Sequence, residues 1–302
     1  WLGLDWDEAP HVGGDFAPYA TAPTDSRYTA VAEQLYDNGD ADYNEQGDLC
    51  LMPPLSGHIS YTDPQLGHLR FDLSQTPTPV LTTAVGTPTA WFRQALDDHR
   101  QKITHAVRPA SGQQDLPALI LFYRLMEWVS PTWVHLPPIR HTAVADTVEN
   151  LRGAGYLPNA LFQHLLQLGW TPPRQQDLWF RSDARRVWRL SDLAPDPVAF
   201  DRDALTALNQ RYLARLSNAD LAAQVQPFLE EYFGPLPRDP RWQETLAHIV
   251  RPALRTLGDA PDKAAWAFDE AYEMEADLPG TREAQHALLS RLVAELAHIV
   301  LL

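Results

Sequence analysis

Asp97 and Asp98 are adjacent carboxylates, the residue type used in pairs for acid–base work. They separate two strand-like runs, and successive residues of a strand point to opposite faces, so the pair is not expected to share one site. His135 and His141, six positions apart, could meet a metal ion together with His99 or His105. No spacing among the four matches a known ligand pattern, so packed or surface histidines are the expectation and no metal is assigned. Arg181, Arg185, Arg186 and Arg189 fall within nine positions, in a stretch that also holds Trp179 and Trp188. That stretch reads first as a solvated arginine face; the alternative is a local contact to an RNA backbone, to which the interleaved aromatics add a little weight. Arg108 carries a planar fork suited to a carboxylate, either a ligand's or that of an internal partner such as Asp97 or Asp98. Of the 24 basic residues only Lys102 and Lys263 are lysine. Chemistry that needs neighbouring lysines therefore has no residues to use. With Cys50 alone, neither a disulfide framework nor a thiolate cluster can form within one chain.

The elements that must hold these residues change character along the chain. Tyr28, Val31, Ala32, Leu35 and Tyr36 recur at helical spacing behind caps at Thr24 and Asp25, predicting a helix that ends near Gly39. From Asn44 to Thr89 the prolines and short alternating runs predict loops and short strands, read as an insertion or connector. Ala90–Leu96 and Ile103–Val107 read as strands, and Asp115–Trp128 as a buried helix, which together predict an α/β unit. Beyond Arg140 the pattern is helical: Ala143–Ala154, Ala160–Leu168, Asp203–Leu216, Asn218–Tyr232, Trp242–Leu257, Ala260–Ala271 and Thr281–Leu302. The last of these carries Leu288, Leu289, Leu292, Val293, Leu296, Ile299 and Val300 on one broad stripe, which points to either a truncated chain or a partner.

At 302 residues and 45% hydrophobic, the chain can bury more than one core, and two or more domains are expected. No run reaches the roughly 18 apolar residues of a membrane helix, and no leader pattern opens the chain, so a cytoplasmic location is expected. The sequence starts at Trp1 in a dense apolar and acidic motif, which reads as a start inside a domain with a further piece expected before it. A net charge of −15 argues against a broad nucleic-acid-binding surface and leaves room for a local one.

Four stretches, in order, resemble bacterial glutamyl-tRNA synthetases. They are Trp1-Leu2-Gly3-Leu4-Asp5-Trp6-Asp7-Glu8 with Gly13-Gly14 and Ala17-Pro18-Tyr19; Gly86-Thr87-Pro88-Thr89 with Asp97-Asp98-His99 and Ile103-Thr104-His105-Ala106-Val107-Arg108; Gly155-Tyr156-Leu157-Pro158 with Leu168-Gly169-Trp170; and Phe200-Asp201 with Leu208-Asn209, followed by Arg251-Pro252. The resemblance implies a class I aminoacyl-tRNA synthetase architecture, an α/β Rossmann-like catalytic portion followed by all-α helical domains. Residues 1–43 and 85–140 would form the catalytic domain, 44–84 a shortened acceptor-stem insertion, 141–215 a stem-contact domain and 216–302 an anticodon-binding-like domain. It also implies ATP with magnesium, glutamate and tRNA as the molecules handled, through a glutamyl-adenylate. In the amino-acid pocket Ala90 takes the place of a substrate-contacting Tyr, Gln94 that of a polar residue often Asn, and Arg108 that of an Arg that pairs with a substrate carboxylate.

The chain departs from that pattern where the chemistry would be. The family's His-Ile-Gly-His element belongs upstream of Trp1; His11-Val12-Gly13-Gly14 and Gly57-His58-Ile59-Ser60 are on the wrong side to replace it. The lysine-bearing loop should fall between His135-Leu136-Pro137-Pro138-Ile139 and Gly155-Tyr156, and Arg140-His141-Thr142 runs there into the next helix. After Arg108 the family's acidic and His or Trp positions are Pro109-Ala110-Ser111-Gly112. No catalytic residue is assigned. Two expectations follow, a glutamate–tRNA ligase or an inactive paralogue that binds tRNA, an amino acid or a protein.

Overall fold

The structure is a computed structural model and describes residues 1–268 apart from 20, 53–55, 137, 141–146, 174–175, 194–195, 197 and 238. The expected terminal helix Thr281–Leu302, with its apolar stripe, lies outside the described residues, as do the end of Ala260–Ala271 and His141.

Helix α1 (Ser26–Asp37) starts where the sequence places it, with the Asp25 carboxylate accepting from Arg27 N at 3.0 Å. Tyr28, Ala32 and Leu35 form its buried stripe. Strands β1 (Ala41–Tyr43) and β2 (Leu49–Leu51) follow. The hairpin β3 (His58–Asp63) and β4 (Gly67–Asp72) pairs in register from His58 with Asp72 to Asp63 with Gly67. β5 (Val80–Thr82) closes an antiparallel sheet in the order β1-β2-β5, so the expected boundary at residue 43 falls inside one sheet.

Helix α2 (Ala90–Arg100) corrects the sequence reading, which made Ala90–Leu96 a strand. The neighbouring aromatics Trp91 and Phe92 give a strand-like texture, yet Trp91, Phe92 and Ala95 are buried together at helical spacing. Their rings meet Phe122 edge-on, with centroids 6.0 and 5.5 Å away. Strand β6 (His105–Pro109) and helix α3 (Leu116–Leu125) form the expected strand and buried helix, and a strand that the sequence reading does not place, β7 (Thr132–Leu136), pairs with β6 in parallel. Residues of α1, all three strands of the sheet, α2, α3 and β7 share one apolar core.

A second parallel pair, β8 (Ile139–Arg140) with β9 (Val198–Ala199), leads into the helical half. Its elements are α4 (Val148–Gly153), α5 (Pro158–Gln167), α6 (Arg181–Val187), α7 (Arg202–Leu213), α8 (Asn218–Phe233), α9 (Pro240–Val250) and α10 (Ala260–Ala264). Thr147, Asp201, Ser217 and Asp239 cap α4, α7, α8 and α9 through their side chains. A single core from Leu151 to Ala264 runs across the expected boundary at residue 215. Buried polar links fix the register within it. Asn209 accepts from Leu157 N at 2.8 Å and donates to Arg255 O, and Tyr212 donates to Gln163 Oε1 at 2.6 Å. Among the described residues no helix is long and apolar enough to cross a membrane.

Candidate functional site

In open α/β sheets ligands lie outside the carboxyl ends of parallel strands. Arg108 is the penultimate residue of β6, and the strand's alternation turns it and Ala106 inward. It is 8% exposed, its Nη2 donates to Asp115 Oδ2 at 3.2 Å, and its Nη1 is buried without a partner. Gly112, in the 3₁₀ turn Ala110–Asp115 that follows, makes room for the guanidinium: a Cβ there would stand 3.2 Å from Arg108 Cζ. Asp115, not Asp97 or Asp98, is therefore the ion-pair partner, and sequence reasoning did not name it. The turn that carries Asp115 back toward the strand leaves no periodic signal.

Helix α2 supplies the other wall. Ala90, Gln94 and Asp98 are one turn apart and lie along one stripe. Two of the predicted positions, Gln94 and Arg108, thus converge on Asp98, whose carboxylate takes a hydrogen bond from Gln94 and is attracted by Arg108. Burial outweighs both effects and, with Asp97 alongside, pushes the Asp98 carboxyl up to about 6. Its Oδ2 is buried and unpartnered, like the Nη1 of Arg108. Ala90, at the helix start, is exposed and brings no polar group. The start of α2 is pinned by Thr89 Oγ1 and Trp91 Nε1, both donating to Val80 O at 2.8 and 2.9 Å.

Asp97 serves a different purpose from its neighbour. It accepts from Thr21 Oγ1 and Tyr28 OH, each at 2.8 Å, and so ties α1 and the segment before it to α2. The two carboxylates do not share a site, as expected, although the reason is a helical turn of about 100° between them and not strand alternation. The histidines do not converge either. His99 stacks on Trp128 with ring centroids 3.6 Å apart, His105 is exposed beside Thr104, and His135 is fully buried against Asp63. Among the described residues no group of three or more His, Cys, Asp or Glu could hold a metal.

The arginine-rich stretch forms α6 and its flank. Arg181 donates to Leu2 O and lies over Gly3, where a Cβ would come within 2.5 Å of its Cζ. A cavity of about 500 Å³ opens there between residues 3–7 and helices α5 and α6. Arg185 and Arg186 are exposed, and Arg185 lines this cavity.

Residues 46–207 match the family model for the catalytic domain of class I tRNA synthetases (E and Q). The chain is 28% identical over 269 residues to a glutamate–tRNA ligase of Acholeplasma laidlawii, covering 84% of this chain and 60% of that protein. It is 26% identical over 326 residues to glutamate–tRNA ligase 1 of Syntrophomonas wolfei, covering 90% and 65% respectively. The chain thus spans 60 to 65% of the length of these two relatives. In fold it is similar to a crystal structure of a glutamate tRNA ligase from Elizabethkingia meningosepticum in complex with its amino acid, with a TM-score of 0.79 at 20% identity, covering 98% of this chain and 74% of that one.

Proposed function

Because the chain belongs to the class I glutamyl-tRNA synthetase family, we propose that it is a glutamyl-tRNA synthetase-like protein that takes glutamate at Arg108 and tRNA along its helical half. The observation that carries the amino-acid part is the guanidinium itself. It is buried at the carboxyl end of a parallel strand, with one nitrogen lacking a partner, and an unpaired buried donor of that kind is stabilised by an incoming carboxylate. Gln94, one turn from Asp98 on α2, is the polar side chain placed to orient the ligand, and Ala90 leaves space at the helix start. In this reading residues 44–84 are a shortened acceptor-stem insertion, 141–215 contact the stem and 216–302 face the anticodon side.

The family implies ATP with magnesium as a further substrate. The turn that follows β6, Ala110–Asp115, carries no cation to join Arg108, which leaves too little positive charge there to fit a magnesium-bound triphosphate. No step through ATP is assigned to these residues. A second reading, a module that binds tRNA, an amino acid or a protein without ligase chemistry, is favoured by the absence of any lysine between Lys102 and Lys263. Stabilising charge at a phosphate during adenylate formation calls for preorganised cations.

Pyrophosphate exchange into ATP, measured with glutamate and tRNA, separates the two readings. Robust glutamate-dependent exchange eliminates the binding-module reading. Binding of tRNA or glutamate without exchange eliminates the ligase.

A further inference from the structure

We propose that the arginine face of α6 and the cavity beside it hold one unstacked nucleotide of a bound RNA, an inference that rests on the synthetase-like reading and adds a contact to it. Leu4, Phe162 and Trp188 give the cavity apolar walls, while Asp5, Asp7 and Arg185 line it with charge. Its 500 Å³ lies within the range of about 300–1,000 Å³ typical of small-ligand clefts. Arg181 is spent on structure: its bond to Leu2 O and its seat on Gly3 hold the N-terminal segment in place as one wall. Arg185 and Arg186 have no acidic partner among the described residues. Arg27, Arg108 and Arg211, by contrast, are neutralised by Asp25, Asp115 and Asp177. Arg185 lines the cavity and Arg186 follows it on the exposed side of α6, so two guanidiniums are free for an anion in a chain of net charge −15.

Each part of a nucleotide finds a matching group. The phosphodiester suits the planar forks of Arg185 and Arg186. A base can stack on the indole of Trp188, which is 37% exposed. Asp5 and Asp7 only accept hydrogen bonds, so they favour bases with an exocyclic amino group (adenine, cytosine, guanine) over uracil, whose one edge donor, N3–H, is flanked by two carbonyl oxygens that a carboxylate repels. The same carboxylates keep the phosphate at the rim. An acidic peptide fits less well, because its carboxylates would meet Asp5 and Asp7 and it has no flat ring for the indole.

The test is fluorescence anisotropy with a tRNA transcript and with labelled six-nucleotide oligo(A), oligo(C) and oligo(U) at two salt concentrations. Arg185→Glu with Arg186→Glu should weaken tRNA binding about tenfold or more and lower the salt slope by about 0.7, the share of one phosphodiester contact. Trp188→Leu should weaken oligonucleotide binding about fivefold with the slope unchanged. Asp5→Asn with Asp7→Asn should abolish the preference for oligo(A) and oligo(C) over oligo(U). If wild type binds tRNA and the charge-reversed variant, with an unaltered melting temperature, binds as wild type does, the inference is overturned and the synthetase-like reading stands. If wild type binds no tRNA, both fall. Tighter binding of a polyglutamate peptide than of any oligonucleotide would overturn it in favour of an acidic protein partner.

Discussion

Asp63 Oδ2 lies 2.6 Å from His135 Nδ1, with both side chains fully buried, and this contact fastens the β3–β4 hairpin to strand β7. Asp63 is saturated with donors: Oδ1 accepts from Gln65 N and Leu66 N, and Oδ2 also accepts from His135 N at 3.2 Å. In the hairpin turn Gln65 donates its side-chain amide to Leu190 O, so the turn is held at both the α/β unit and the helical half. Tyr61, on the same strand, adds a bond to Trp133 O at 2.8 Å.

Removing the imidazole from this pair leaves a buried carboxylate short of a partner, the situation in which a broken buried pair costs about 3–5 kcal/mol. His135→Leu is therefore expected to lower the urea midpoint by an amount equivalent to about 3 kcal/mol. In a double-mutant cycle with Asp63→Leu, the two losses should be strongly non-additive. Additive losses would show that the two residues act separately.

Asp98 gives a pH dependence whose sign is fixed. Burial raises its carboxyl to about 6 in the folded chain, so the native state holds this proton more tightly than the unfolded chain does. The contribution of this group to stability is fully present below about pH 4 and is lost as pH rises through 6. Asp98→Asn carries no such charge and should gain on wild type across that window. The plateau above pH 6.5 should be about 1–2 kcal/mol, below the ~3 kcal/mol that two pK units represent because the carboxyl is partly solvated. Urea unfolding of both proteins at pH 4.5 and 7.5 measures this, and an equal difference at the two pH values would refute it.

Gly155 sits at φ +82°, and a Cβ at that position would lie 2.2 Å from Gly258 N. Leu257 N donates to Gly155 O at 2.8 Å across the same contact. Gly155→Ala should cost about 3 kcal/mol or more, combining a left-handed backbone with a clash against main chain. Gly153→Ala, where a Cβ meets nothing within 4 Å, is the matched control and should be close to neutral. Similar melting temperatures for the two variants would contradict the close approach.

What the sequence made legible was whatever repeats with a clear period. The helix from Ser26, the buried helix after Asp115 and the starts of α7 and α8 follow from caps and apolar spacing. Ala90–Leu96 was misread because Trp91 and Phe92, two aromatics in a row, mimic a buried strand, and only their common contact with Phe122 restores the helical period. Arg108 and Gln94 both lie beside Asp98, and Gln94 stands on a helix where the sequence reads a strand. The Asp115 partner is hidden in an irregular turn seven positions after Arg108, and the Asp63–His135 pair depends on a chain reversal that brings distant residues together. His135 was noticed only as a metal candidate. Its partner lies 72 positions earlier in the hairpin.

Glutamate titration by calorimetry of wild type and Arg108→Ala tests the role of Arg108 most directly. Wild type should bind glutamate. Loss of a charge-assisted pair worth about 2 kcal/mol should weaken binding roughly 30-fold in the variant, with the fold retained by circular dichroism. Asp115→Asn, which releases the guanidinium from its internal partner, should tighten binding. Equal affinities for wild type and Arg108→Ala would contradict the assignment of glutamate to this site.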